Sequence, residues 1–189
     1  LTKKLAENNK NFVISISHTT RKPRPNEING KDYHFVNKKE FQYLLKENNF
    51  FEHAIIFDNW YGTLKKPVLD LLSLGKDVLF DIDWQGSEQI KRQKLNSKLI
   101  SIFILPPSIN VLKDRLLNRD VRDTSIVKER MAQFKSDLLH WQEYDYTVIN
   151  NELENCYKEI MSIISYEKEG KKFPISKEKI EKKISEFTN

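Results

Sequence analysis

Short apolar runs alternate along the chain with segments of helical periodicity. Four runs have the length and composition of buried strands: FVISI (12–16), VLFDI (78–82), LISIFIL (99–105) and YTVI (146–149). Helical patterns lie between them, near 85–92, 109–118 and 124–140. Because strands that alternate with helices pack as a parallel sheet covered by those helices, the sequence predicts an α/β fold.

A different pattern interrupts this alternation between residues 32 and 57. DYHFV (32–36) alternates like a short strand, and FFEHAIIF (50–57) is a second strand-like run. NWYGT (59–63) contains Asn and Gly and predicts a turn. The sequence therefore predicts a small β-rich insert within the α/β domain.

Composition narrows the classes of protein that fit this chain. Its 189 residues suit one domain, and 32 basic residues are interspersed with 27 acidic ones rather than gathered in a stripe. This modest positive surplus suits an enzyme for phosphorylated small molecules better than a nucleic-acid binder. Cys156 is the single cysteine, which excludes a disulfide framework, and no run approaches the ~18 apolar residues of a membrane span. We predict a cytoplasmic protein with no membrane or nucleic-acid partner.

The stretch SHTTRKPRP (17–25) combines hydroxyl groups, prolines and positive charge. Arg21 and Arg24 each offer a planar fork to a phosphate, and Pro23 and Pro25 restrict the backbone of this stretch. Ser17 follows a predicted strand, at the end where ligands of open α/β sheets bind. Tyr33 offers a further neutral donor to the same phosphate. The alternative is a solvated basic loop with Tyr33 packed in a core.

Glu52 lies inside the otherwise apolar run 50–57. A carboxylate there is costly unless it faces water or accepts hydrogen bonds. The N1–H and 2-amino groups of guanine form a donor pair that matches one carboxylate. Tyr61 and Thr63 follow with a phenol and a hydroxyl, for which packing and turn chemistry are the alternative roles.

Asp81 and Asp83 end a predicted central strand. Two acids at the carboxyl end of such a strand suggest contacts with a magnesium-bound nucleotide and with an acceptor base. For Asp83 the alternative is that its side chain only caps the following helix.

Four arginines cluster in the segment from 112 to 131: Arg115, Arg119, Arg122 and Arg130. Arg115 and Arg119 lie four residues apart on one predicted helix face, and a break at 120–123 separates them from Arg130. A helix–loop–helix of this kind is suited to a lid that delivers guanidinium groups to a transferring phosphoryl group. The alternative is an ordinary charged surface helix.

Several motifs follow one another in a fixed order. They are Ser-x-Thr-Thr-Arg-x-Pro-Arg, Asn-Gly-x-Asp-Tyr, Phe-Glu-His-Ala, Tyr-Gly-Thr, Asp-Ile-Asp-Trp-Gln-Gly, Ile-Phe-Ile-Leu-Pro-Pro-Ser and Tyr-Asp-Tyr-x-Val-Ile-Asn. In this order they resemble the bacterial guanylate kinases over about residues 1–165. Each motif alone is weak evidence, whereas their joint occurrence in order is specific.

The resemblance implies a P-loop nucleoside-monophosphate-kinase-like fold, in which a parallel sheet core carries a small GMP-binding insert and a helical lid. It implies a core formed by 1–16, 64–117 and 131–189, a GMP-binding subdomain at 17–63 and a lid at 118–130. The implied reaction, a step in purine nucleotide metabolism, transfers the γ-phosphoryl group of ATP to GMP or dGMP with Mg²⁺. ATP and GMP are then the partners of a monomer or homodimer.

The family pattern also implies roles for individual residues. The GMP phosphate and its surroundings would be bound by Ser17, Arg21, Arg24, Tyr33 and Tyr61, and guanine would be recognised by Glu52, Thr63 and Asp83. Charge on the transferred group would be neutralised by Arg115, Arg119 and Arg130. Asn150 and Arg115 would contact ATP, and Asp81 would lie near magnesium, touching it at most through water.

The chain departs from the family pattern at two points. The phosphate-binding motif Gly-x-x-x-x-Gly-Lys-Ser/Thr does not occur in the 189 residues, and LTKKL (1–5) matches the helix that follows it. We therefore expect roughly twenty further residues before Leu1, and poor ATP binding without them. Asp120 stands where the lid usually has glycine. The alternative function is a catalytically inactive module that binds phosphorylated peptides.

Overall fold

The computed structural model describes residues 1–93, 95–119 and 124–188, which fall into two compact units. One unit spans 2–98, and the other spans 99–189 together with Leu1. The first unit contains α1 (Thr2–Asn8), β1 (Phe12–Ile14), β2 (His18–Thr19), β3 (His34–Phe35), α2 (Lys38–Lys46), β4 (Phe50–Ile56), β5 (Asn59–Leu64), α3 (Lys65–Ser73), β6 (Asp77–Leu79) and α4 (Trp84–Arg92).

The unit of residues 2–98 contains two separate strand arrangements. β1 pairs in parallel with β6, while a four-stranded sheet has the order β3–β2–β5–β4. Phe51, Val68 and Ile90 form a buried apolar cluster that joins β4 to α3 and α4. This cluster packs α4 against β4. Such packing is expected where strands and helices alternate, because each element must bury its apolar face.

Residues 59–63 lie in strand β5, which forms a hairpin with β4, so the turn predicted there was wrong. The chain reverses at Phe57 and Asp58, whose φ angles are 50° and 57°, leaving Asn59 to begin β5. Two consecutive left-handed residues match the right-handed twist of the flanking strands. Gly62 serves strand packing instead of a turn, because a Cβ there would lie 2.8 Å from the Phe50 ring.

The unit of residues 99–189 joins parallel strands to helices. Its elements are β7 (Ile102–Leu105), α5 (Ile109–Arg119), α6 (Thr124–Asp137), a 3-10 helix (Leu138–Glu143), β8 (Tyr146–Ile149), α7 (Leu153–Lys168) and α8 (Lys177–Thr188). β7 and β8 are paired in register from Ile102 with Tyr146 to Leu105 with Ile149. α8 packs onto this unit through Ile180 and Phe187, which are buried against Leu105 and Leu138.

The α/β class is confirmed by these parallel strand pairs and their covering helices. The strand at 146–149 was predicted at its observed bounds, whereas β6 ends at Leu79, before the predicted 82, because its pairing with β1 ends at Ile14 and Leu79. Asn37 is the N-cap of α2, and its side chain accepts a hydrogen bond from the Glu40 N–H at 2.9 Å. Within the described ranges, no helix has both the length and the apolar character needed to cross a membrane.

Candidate active site

A chain of buried hydroxyl groups leads to the carboxylate of Glu52. The pairing of β4 with β5 places Glu52 opposite Thr63, and the Thr63 hydroxyl donates to Glu52 Oε1 at 2.6 Å. Ser17 Oγ lies 2.9 Å from Thr63 Oγ1. The single hydroxyl hydrogen of Thr63 is used in the bond to Glu52, so the Ser17 hydroxyl is the donor in the bond between Ser17 and Thr63. Three residues from separate strands and loops are thereby held as one polar row.

Glu52 is 3% exposed. Burial raises the pKa of its carboxyl group, and the nearby Asp83 carboxylate adds to this, while the Thr63 hydrogen bond acts in the opposite direction. Glu52 Oε2 faces Gly86 so closely that a Cβ on Gly86 would lie 2.6 Å from it. A partly satisfied, buried carboxylate of this kind is suited to binding a ligand with paired hydrogen-bond donors.

Asp83 caps α4, as the simpler interpretation of the sequence proposed. Its Oδ1 accepts from the Gly86 N–H at 3.0 Å, and its Oδ2 accepts from Gln85 Nε2 at 3.0 Å. Each oxygen keeps a further lone pair. The capping role is therefore observed, and contact with the base stays a prediction.

Arg21 and Arg24 converge on a third charged residue, Glu27. Glu27 Oε1 accepts from Arg21 Nη2 at 2.8 Å and from Arg24 Nη1 at 3.1 Å, and Oε2 accepts from the Arg24 backbone N–H at 2.7 Å. Burial alone would favour the neutral acid, but the bonds from Arg21 and Arg24 hold the pKa of Glu27 below its usual value. Two guanidinium groups and one carboxylate leave this cluster with excess positive charge, which suits a phosphate.

An aromatic wall supports the arginine cluster. The Arg21 guanidinium lies 5.5 Å from the centroid of the Tyr33 ring and 5.8 Å from that of Phe35, and the Tyr33 and Tyr61 rings are 6.0 Å apart. Burial raises the pKa of the Tyr33 phenol, and the Asp81 carboxylate adds to that rise. Tyr33 therefore keeps its proton and remains a neutral hydrogen-bond donor.

Asp81 lies in the segment between β6 and α4 and is exposed. In the part of the chain that the structure describes, no group of three or more histidine, cysteine, aspartate or glutamate side chains is arranged to hold a metal ion. Asp81 therefore offers a single carboxylate at this position.

The unit of residues 99–189 brings two of the predicted ATP-site residues together. Arg115, on α5, donates from Nη2 to the Asn150 carbonyl oxygen at 3.1 Å and to that of Asn151 at 3.4 Å. Arg119 is the last residue of α5, and Arg130 is a half-buried residue of α6. Arg122 and Asp120, which the sequence analysis places in the lid, fall outside the described residues.

Comparison with known proteins identifies the family. The sequence model of the Guanylate kinase family matches residues 1–169.

The chain belongs to the guanylate kinase family.

Relatives and a solved structure agree with this assignment. A guanylate kinase of Rickettsia bellii is 48% identical over 168 residues, which cover 89% of this chain and 87% of that relative. A guanylate kinase of Maricaulis maris is 42% identical, with 89% of this chain and 77% of that relative covered. The crystal structure of guanylate kinase from Anaplasma phagocytophilum matches with a TM-score of 0.70 and 36% identity, covering 87% of this chain and 79% of that one.

Membership in the guanylate kinase family confirms the predicted fold and enzyme class, a nucleoside monophosphate kinase. The alternative of an inactive peptide-binding module finds no support among the matched relatives, which are named guanylate kinases. The individual site residues stay predictions. Within residues 17–83 the structure joins Ser17 and Thr63 to Glu52, and it joins Arg21 and Arg24 through Glu27. In the other unit it joins Arg115 to Asn150.

Three residues that contact the candidate site residues were not predicted from the sequence: Glu27, Gly86 and Gln89. Glu27 follows Arg24 by three positions, and this Arg-x-x-Glu spacing beside clustered arginines was the available signal. Gly86 lies within a motif already quoted, but its closeness to Glu52 depends on tertiary packing. Gln89 carries no distinguishing sequence signal, because a glutamine on a helix is ordinarily a solvated residue.

Proposed function

We propose that this guanylate kinase transfers the γ-phosphoryl group of ATP to GMP and binds GMP through side chains of residues 17–83. One observation carries the proposal. Glu52 is a buried carboxylate held by Thr63 and Ser17, in the same unit as the Arg21–Arg24 cluster. A pocket with a carboxylate for the base and guanidinium groups for the phosphate has the two features that recognise a guanine nucleotide monophosphate.

Guanine recognition is assigned to Glu52, Thr63 and Asp83. The N1–H and 2-amino groups donate to the Glu52 carboxylate, whose Oε1 is already oriented by Thr63. The remaining lone pairs of Asp83 face the same base. Adenine has no N1–H and no 2-amino group, so it would leave the buried carboxylate without its donors, which is a strong basis for rejection.

The phosphate of GMP is assigned to Arg21, Arg24, Tyr33 and Tyr61, with Ser17 beside them. The guanidinium groups bind the dianion, and the phenols donate neutral hydrogen bonds. Glu27 orders both arginines before the substrate arrives. Because the two arginine side chains are already ordered, less conformational entropy is lost when they bind phosphate.

Catalysis of phosphoryl transfer is assigned to arginines that neutralise the negative charge of the phosphates. Arg115, Arg119 and Arg130 act on the transferred group, and Asn150 lies by the ATP adenine. Mg²⁺ supplied with ATP would neutralise phosphate charge, and the single exposed carboxylate of Asp81 would fit an ion that keeps most of its waters. No general base is needed, since phosphoryl transfer depends mainly on positioning and electrostatic stabilisation.

The division into core, GMP-binding subdomain and lid is part of this proposal, as are the cytoplasmic location and the monomeric or homodimeric state. The contacts among residues 17–63 support a GMP-binding subdomain, because Ser17, Thr63 and Glu52 share one hydrogen-bonded row.

Acceptor specificity tests the proposed function. The full-length protein is expected to form GDP from GMP and the corresponding product from dGMP, while kcat/KM for AMP falls about 1000-fold or more, because AMP leaves Glu52 unpaired. A coupled assay of ADP release with each acceptor measures this. Absence of GDP formation, or AMP use within about tenfold of GMP use, would contradict the proposal.

A further inference from the structure

The outer edge of β4 is covered by side chains rather than by another strand. β4 is the last strand in the order β3–β2–β5–β4, so one of its edges has no strand partner in that sheet. Gln89 of α4 occupies this edge: its Oε1 accepts from the His53 N–H at 3.0 Å, and its Nε2 donates to the His53 carbonyl at 2.7 Å. One side-chain amide thus makes the pair of bonds that a neighbouring strand would make.

The covered edge lies directly beside Glu52. Gln93, the C-cap of α4, donates from Nε2 to the Phe51 carbonyl at 2.9 Å, so residues on both sides of Glu52 are bonded to α4 or to its cap. The register of β4 against β5 shifts between Phe50 and Glu52, which places a β-bulge there. A bulge interrupts the hydrogen bonds between β4 and β5 and changes the direction of the next side chain. Pairing with β5 therefore constrains Glu52 less, and contacts from outside the sheet contribute to setting its direction.

The same helix also contacts the carboxylate of Glu52. Gly86, less than one helical turn before Gln89, gives Glu52 Oε2 the room that a Cβ would fill. Asp83 caps α4 through the Gly86 N–H. α4 therefore controls the backbone beneath Glu52, the space around its carboxylate and the position of Asp83.

We propose that Gln89 is a positioning residue for guanine specificity, because its two bonds to His53 aim the Glu52 carboxylate at the N1–H and 2-amino groups of the base. This inference rests on the proposed function of Glu52. A purely structural role, protection of a sheet edge, predicts a different result. Loss of edge protection alone would lower stability and leave base discrimination unchanged.

The measured quantity is the ratio of affinities for GMP and for inosine monophosphate, which lacks only the 2-amino group. Isothermal titration calorimetry gives both Kd values for the wild type, and a hydrogen bond to a charged group predicts a ratio of about 30. Gln89→Met keeps the chain length and removes both bonds, and Gln89→Asn remains polar but is too short to span the His53 peptide. We expect each substitution to reduce the ratio by about fivefold or more.

Two further variants make the outcome decisive. Glu88→Gln, on the same helix and paired only with Arg92 among the contacts seen here, is expected to keep the wild-type ratio. Glu52→Gln is expected to bring the ratio close to one. If Glu52→Gln does so while both Gln89 variants keep the wild-type ratio, the role of Gln89 is overturned and that of Glu52 stands. If Glu52→Gln leaves the ratio unchanged, the assignment of the base site itself is overturned.

Discussion

Replacing Glu52 by glutamine is expected to weaken GMP binding about 100-fold. The substitution removes a hydrogen-bonded charge, and it places the NH₂ group of an amide against the hydrogen-bond donors of guanine. Glu52 is 3% exposed, so water cannot restore the lost acceptor. Titration calorimetry with GMP measures the change. Glu47→Gln is the matched control, because Glu47 is an exposed residue at the end of α2 in the same unit.

The same substitution is expected to stabilise the protein without GMP. Burial raises the pKa of Glu52, so ionising this carboxyl group opposes folding. This free-energy cost of folding is absent below the ordinary pKa of a glutamate. It grows as the pH rises from there to the raised pKa of Glu52 in the folded protein. Glu52→Gln should therefore raise the free energy of unfolding at pH 7, and this gain should fade as the pH falls below the ordinary pKa of a glutamate.

Thermal unfolding of both proteins across this pH range measures the effect. A variant that loses both stability and GMP affinity at pH 7 would show that Glu52 mainly supports the fold. Loss of affinity with retained or increased stability is the result expected of a binding residue whose charge is costly in the free protein.

Truncating Arg21 to alanine is expected to weaken GMP binding by about 100-fold or more, because it removes one charged group from a partly buried phosphate site. The Arg21 side chain is 15% exposed and is ordered by Glu27 and the Tyr33 ring. Guanosine, which has no phosphate, should bind the variant and the wild type equally. The ratio of GMP affinity to guanosine affinity therefore isolates the phosphate contribution.

Glu27 gives a graded comparison within this prediction. Glu27→Gln keeps the shape of the residue but removes the charge that pairs with Arg21 and Arg24, and we expect GMP affinity to fall about tenfold through looser arginine positions. Arg92→Ala, which removes an exposed arginine of α4, is the control. An Arg21→Ala variant that loses guanosine and GMP affinity equally would remove Arg21 from the phosphate site.

Much of the fold followed from local sequence pattern. The run YTVI predicted β8 at its observed bounds, because strand composition depends on neighbouring residues. The hairpin turn at Phe57 and Asp58 was missed, since a phenylalanine seldom adopts left-handed backbone and the nearby Gly62 favoured a turn at 59–63.

The sequence indicated candidate site residues but not the contacts that hold them in place. Motif order pointed to Ser17, Arg21 and Glu52, but the link from Ser17 through Thr63 to Glu52 requires strand pairing between distant segments. The bond between Gln89 and the His53 peptide likewise joins residues 36 positions apart, and a single sequence does not encode such a distance.

The central claim is that the Glu52 carboxylate accepts the N1–H and 2-amino hydrogens of GMP. Proton NMR of ¹⁵N-labelled GMP bound to the protein observes those hydrogens directly. We predict an N1–H resonance that is shifted downfield and protected from exchange with water in the wild type, and that loses both properties in Glu52→Gln. An N1–H that exchanges in the wild-type complex as fast as in free GMP would contradict the claim.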